Sequence, residues 1–250
     1  MDTNEVLARI LIYFIVHFST WIIIYLRPTS SRLKVHEIDP RSLKHELATK
    51  IVSSIHAFVT FVLSLYYLGY LLLNKDINSI LQIENKDDFF QNLCCYSSAF
   101  FICDIMLCLI LYKENGPLFI IHAFSGFIGT MYGSLLNESH TFIALLFLWE
   151  GSTPFLNLRW ILMEYGFKDT KLFKITNIIL AVLFIIFRIL IGIPVTLYVL
   201  HLLYHHEKLP LFVRVAMISA CISTIFLNLN WGRIITSKAV KSFFQETLNN

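Results

Sequence analysis

Long apolar runs separated by short polar breaks dominate the chain. Runs of about 20 residues, the length that crosses a hydrocarbon core of roughly 30 Å as a helix, recur at 6–26, 51–73, 93–112, 118–136, 141–163, 177–203 and 211–231. The breaks carry turn chemistry: "KENGP" follows the third run, "NESH" the fourth and "HHEKLP" the sixth. The pattern predicts an all-α fold, a polytopic membrane helical bundle of about seven transmembrane helices. One run departs from it. "LWEGSTPFLNLRW", residues 148–160, places Glu150, Ser152, Pro154, Asn157 and Arg159 inside the fifth span.

A polar, Pro-interrupted helix at membrane depth is tolerated only where protein encloses it or where it lines a cavity. The fifth span is therefore expected to face inward, with Ser152, Thr153 and Asn157 re-satisfying backbone groups freed at Pro154. Glu150 and Arg188 fall near the midplane on neighbouring spans, so an ion pair between them is expected. Glu150 and Arg159 lie on opposite faces of a straight helix and are poor partners. Counting along the spans puts His56, Asp104, His122, Arg159 and Asn228 in one leaflet.

Composition agrees with the pattern: 56% of residues are hydrophobic and only 15% charged, with a mean hydropathy of +0.67. A soluble domain is nearer a quarter charged. The net charge of +3 gives no footing for nucleic acid, and membrane lipids are the expected partners. Lys and Arg crowd the loops on one side of the bundle, from Arg27 to Lys241, while the other side has only Lys75, Lys86 and Lys208. The positive-inside rule then places the N-terminus in the lumen or outside and the C-terminus in the cytosol. The first run ends at Arg27 with no small-residue cleavage site, so it reads as a signal anchor. Residues 1–39 form that anchor and a basic cytosolic loop, 40–240 a multi-helix domain and 241–250 a cytosolic tail.

Chemistry-bearing groups are few. The five cysteines, Cys94, Cys95, Cys103, Cys108 and Cys221, form no CxxC array and read as buried thiols. Cys94 and Cys95, at a predicted membrane edge, are the alternative sites of palmitoylation. His201, His205 and His206 read as an interfacial polar cluster rather than a metal site. Asn137-Glu138-Ser139 is a sequon in a very short turn. His122 is either a packing residue or a general base or nucleophile, with Asp104 on the paired helix to orient it.

Several blocks resemble the TLC domain. They are "TKIVSSIHAFVTFVLSLYYL", "FFICDIMLCLILY", "PLFIIHAFSGF", "LWEGSTPFLNLRW" and "FIIFRILIGIP", in the family's order over roughly residues 40–240. They most resemble TLC-domain proteins of unassigned chemistry, and more distantly the ceramide synthases. The resemblance implies a bundle enclosing a lipid-accessible cavity, in the endoplasmic reticulum or another endomembrane. For ceramide synthases it would also imply acyl transfer from acyl-CoA to a sphingoid base through a His-His pair followed by an acidic pair. Here the chain reads His122-Ala123, and Asn228 and Asn230 stand near the position of the acids.

Three readings follow. The first is a protein of lipid homeostasis that binds a phospholipid or sphingolipid in an intramembrane cavity without ceramide-synthase catalysis and without a cofactor. Its polar core comprises His56, Glu150, Ser152, Pro154, Asn157, Arg159, Arg188 and Asn228. The second is an acyl-CoA-dependent N-acyltransferase using His122, with Asp104 orienting it, His56 assisting and acyl-CoA as substrate. The third, a seven-helix receptor or transporter, lacks Asp-Arg-Tyr and Asn-Pro-x-x-Tyr patterns and paired broken helices.

Overall fold

The computed structural model describes residues 1–27, 40–76, 80 and 86–248. Arg32 and Lys34 of the basic loop, and the last two residues of the tail, lie outside them. Among the described residues the chain is helical, with seven helices long and apolar enough to cross a membrane. They are α1 (Thr3–Leu26), α2 (Pro40–Asn74), α3 (Asp88–Ile110), α4 (Pro117–Leu135), α5 (His140–Glu164), α6 (Lys171–His205) and α7 (Leu211–Lys238). The α7 helix continues to Leu248. Helix α2 begins about three turns before the apolar run at 51, because a helix need not stop where its sequence becomes polar.

Six helices close a ring in the order α2–α3–α4–α7–α6–α5 and back to α2, while α1 packs outside on α2 and α3. In α3 and α5, 61% of the most apolar stretch is buried, against 39% or less in the other spans. The inward-facing fifth span is thus observed.

Helix α1 is held by more than apolar contact. Val6 and Ile10 pack on Cys95 and Ala99 of α3, and Arg9 Nη1 and Tyr13 Oη both donate to Asn92 Oδ1, at 2.8 and 3.1 Å. Cys94 and Cys95 are fully buried here rather than at an edge, because their helix begins at Asp88 and carries them inward. A thiol without exposure offers no site for acylation.

The end of the bundle opposite the basic loops is tied by His140. Its Nδ1 accepts from the Asp87 backbone N–H at 2.9 Å, which leaves Nε2 to donate to the Gly133 carbonyl at 3.1 Å. Gln91 Nε2 donates to the Ser134 carbonyl at 2.8 Å. These bonds join the start of α3, the end of α4 and the start of α5 at one level. Asn137 and Ser139, both at positive φ (52° and 60°), make the tight turn between α4 and α5.

Two helices change character midway. In α5, a 3₁₀ segment at Leu148–Ser152 joins two α-helical parts, and Pro154 sits in the first turn of the second part. There its missing N–H costs little, so the break precedes the proline. In α6, Phe184–Gly192 is π-helical and Pro194 follows in the next turn. Proline cannot donate one turn back, which favours a local change of register upstream.

Candidate functional site: a two-lobed cavity within the ring

The ring encloses a cavity of about 240 Å³ towards the basic end. A second, of about 110 Å³, lies towards the opposite end. Phe101, His122 and Glu150 line both and mark where they meet. The larger lobe is the more polar of the two, although most of its wall is apolar: Lys50 of α2, Asp104 of α3, Glu150, Asn157 and Arg159 of α5, Arg188 of α6 and Lys238 of α7 all face it. The smaller lobe is walled by Phe142, Val199, Leu203 and Met217. Along α7 the lining runs from Met217 to Lys238, about 30 Å at a helical rise of about 1.5 Å per residue. The two lobes together therefore traverse a hydrocarbon thickness.

Arg188 is the central strut. It is 5% exposed and stands on the π segment, beside the 3₁₀ segment of α5. Its Nε donates to the Trp149 carbonyl at 3.2 Å and to Ser152 Oγ at 3.1 Å, and Nη2 donates to Thr153 Oγ1 at 3.0 Å. Nη1 reaches Asn228 Oδ1 at 3.4 Å, and the guanidinium lies 5.2 Å from the Phe184 ring centre. The expected ion pair with Glu150 does not form. A 3₁₀ turn presents its carbonyl and hydroxyls at the guanidinium, and a planar fork of donors is better satisfied by several neutral acceptors than by one carboxylate.

The other anticipated residues divide. Ser152 Oγ donates to the carbonyl of Trp149 at 3.0 Å, whereas the Glu150 carbonyl, the one that Pro154 would leave free, accepts from the Thr153 backbone N–H. The Thr153 hydroxyl accepts from Arg188. Asn157 Nδ2 leaves its own helix for the Lys50 carbonyl and Ser54 Oγ of α2, both at 3.0 Å. Arg159 Nε donates to Asn177 Oδ1 at 2.7 Å, and its guanidinium lies 5.5 Å from the Phe173 ring centre.

His122, half-buried, touches aromatic rings: Trp231 at 5.4 Å and Phe101 at 6.3 Å between centroids. Asp104 lines the same lobe, but no hydrogen bond joins the two among the described residues, so Asp104 does not orient the imidazole here. His56 is elsewhere. It stacks on Phe100 at 3.8 Å, bonds to Ser97 Oγ at 3.2 Å and faces His17 of α1. It lines neither lobe, because its helical face is turned towards α3 and α1.

Lys50, Lys238, Trp149 and Gly192 were not read from sequence as members of the site. Lys50 Nζ lies 5.6 and 5.9 Å from the ring centres of Phe119 and Trp160. At Gly192 a Cβ would strike the Trp149 indole, so the glycine is what lets α6 approach the 3₁₀ turn of α5. Only the small residue two places before Pro194 hinted at such a close approach. Among the described residues no cluster of three metal-ligating side chains exists, at His201 and His205 or elsewhere.

Comparison with known proteins gives the same architecture a family. The TLC-domain profile matches residues 46–237. The chain belongs to the TLC-domain family. The chain is 25% identical over 217 residues to TLC domain-containing protein 4 C of Dictyostelium discoideum, covering 83% of this chain and 75% of that one. TLC domain-containing protein 4-B of Danio rerio is 25% identical over 198 residues, 77% of this chain and 73% of its own. Topoisomerase I damage affected protein 4 of Saccharomyces cerevisiae is 28% identical over 158 residues, 60% and 55% of the two chains. No solved structure matches.

Proposed function

We propose that this TLC-domain protein binds a phospholipid or sphingolipid in its two-lobed cavity and acts in lipid homeostasis through binding rather than ceramide-synthase catalysis. One observation carries the reading. Lys50, Asp104, Glu150, Arg159 and Arg188 line the larger lobe, and among the described residues none of them makes an ion pair. Charged groups at membrane depth are costly unless water, backbone or a ligand solvates them. A lobe holding these charges, set beside an apolar one, matches an amphiphile whose head lies among the charges and whose tail lies beyond His122. The excess of Lys and Arg at the polar end supports a head on the cytosolic side, and the family resemblance supports an endomembrane such as the endoplasmic reticulum.

The test is mass spectrometry of lipids that co-purify with the full chain, set against the bulk membrane of the same cells. Enrichment of a defined lipid class is expected, and a co-purified pool identical to the bulk overturns the reading.

Acyl transfer at His122 keeps one observation in its favour, the position of the imidazole where the lobes meet. Its decisive test is the lipidome of cells lacking the protein and re-expressing wild type or His122→Ala at matched levels. Equal restoration by both supports binding. Restoration by wild type alone identifies His122 as catalytic.

A further inference from the structure

Helix α1 carries a stripe that its apolar composition hides. Arg9, Tyr13, His17, Trp21 and Tyr25 recur at every fourth position. A four-residue step overshoots one helical turn by about 40°, so the stripe winds around α1 and cannot face one neighbour throughout. It changes partner on the way. Arg9 and Tyr13 donate to Asn92 of α3, and His17 Nε2 donates to the Tyr96 carbonyl of α3 at 3.3 Å. Trp21 Nε1 then donates to Thr49 Oγ1 of α2 at 3.1 Å, and the Tyr25 ring lies 4.4 Å from that of His45 on α2. The helix thus crosses from α3 to α2.

What it crosses is the loosest closure of the ring. Among the described residues, α2 and α3 approach each other less than any other ring neighbours do. At this seam the wall of the larger lobe is one side chain thick. Thr49 lines the lobe and accepts from Trp21. Phe100 lines it too, with its ring centre 5.6 Å from that of His17 and 3.8 Å from that of His56. On its far side α1 shows Leu11, Ile15 and Ile23, each more than half exposed. The TLC-domain match begins at residue 46, beyond α1.

We propose that the α2–α3 seam is a lateral doorway from the bilayer into the larger lobe, and that α1 is the strap across it. The proposal rests on the lipid-binding reading above and adds the route of entry. Lipid tails cannot solvate Asn92, Ser97 and His56, so the closed seam requires a cover of protein. When α1 lifts, the same groups offer polar contacts to a head group passing between α2 and α3. The ties released are a few interhelical polar bonds, each weak in a membrane.

The test reads access to the lobe without a ligand. Cys108 lines the larger lobe, whereas Cys94 packs in a separate cluster with Phe90 and Ile143. The full chain in phosphatidylcholine vesicles is treated with N-cyclohexylmaleimide, which dissolves in hydrocarbon, or with a permanently charged thiosulfonate, which travels only through water. Peptide mass spectrometry gives the modification rate at each cysteine. The double variant His17→Leu/Trp21→Phe removes two bonds of the strap and is expected to speed the reaction of N-cyclohexylmaleimide at Cys108 about sevenfold. The charged reagent at Cys108, and either reagent at Cys94, should keep their wild-type rates. Should the double variant not fold, Trp21→Phe alone makes the same test, with an expected gain of about threefold. An unchanged rate at Cys108 means that the lobe fills from its basic end and overturns the doorway. An equal gain with the charged reagent, or at Cys94, reports general loosening and overturns it as well. The lipid-binding reading fails separately, through a co-purified lipid pool identical to the bulk, whatever the cysteine rates.

Discussion

Replacing Arg188 with methionine removes the guanidinium while keeping a long, flexible apolar stem. Three hydrogen bonds of 3.0 to 3.2 Å then disappear, together with a weaker one at 3.4 Å. Bonds from a charged donor contribute about 1.5–3 kcal/mol each in soluble proteins, whereas polar pairs in membrane helices average about 0.6 and reach about 1.7 kcal/mol. The membrane figures suit three bonds here and sum to about 2–5 kcal/mol. Against this, a buried cation no longer has to be desolvated. Arg188→Met is therefore expected to destabilise by about 2–4 kcal/mol, measured as the shift in detergent-induced unfolding of the purified chain. Arg188→Lys recovers little of it, since a point charge cannot reach Trp149, Ser152 and Thr153 together. A double-mutant cycle with Ser152→Ala should return a coupling of about 0.5 kcal/mol or more. A methionine variant as stable as wild type, with no coupling to Ser152, would refute the account of Arg188 as the strut between α5 and α6.

Asn157→Leu, close to isosteric, breaks both bonds to α2 and is expected to cost about 1–2 kcal/mol in the same unfolding assay; no change would mean that apolar contact alone joins α2 and α5. Gly192→Ala puts a methyl into the Trp149 indole and within 2.9 Å of the Phe187 carbonyl. Its expected penalty is about 1–3 kcal/mol, partly relieved by Trp149→Phe in the double variant, and additivity of the two changes would argue against that contact.

The inward face of α5 was legible because a rule of the medium dictates it: lipid cannot solvate Glu150, Asn157 and Arg159, so a helix carrying them must turn inward. Which partners they take was not legible. Depth along a helix can be counted from sequence at about 1.5 Å per residue, and that count put Glu150 and Arg188 at similar depth; both line the larger lobe. Rotation about the helix axis decides the actual bond, and it depends on packing with every neighbour. Hence Arg188 chose the carbonyl and hydroxyls of a 3₁₀ turn, and His56 turned to His17 and Ser97. The turn itself, placed ahead of Pro154 rather than at it, has no periodic signature in the residues.

By itself, the sequence determined the helical class, the seven spans, the charge asymmetry and the motifs shared with the TLC domain. These follow from composition and local order along one chain. Only the tertiary structure decided that six helices close a ring around two lobes, the larger the more polar, and that His122 stands between them. A cavity is a property of surfaces brought together from six helices, and no single stretch of sequence contains the distances between them.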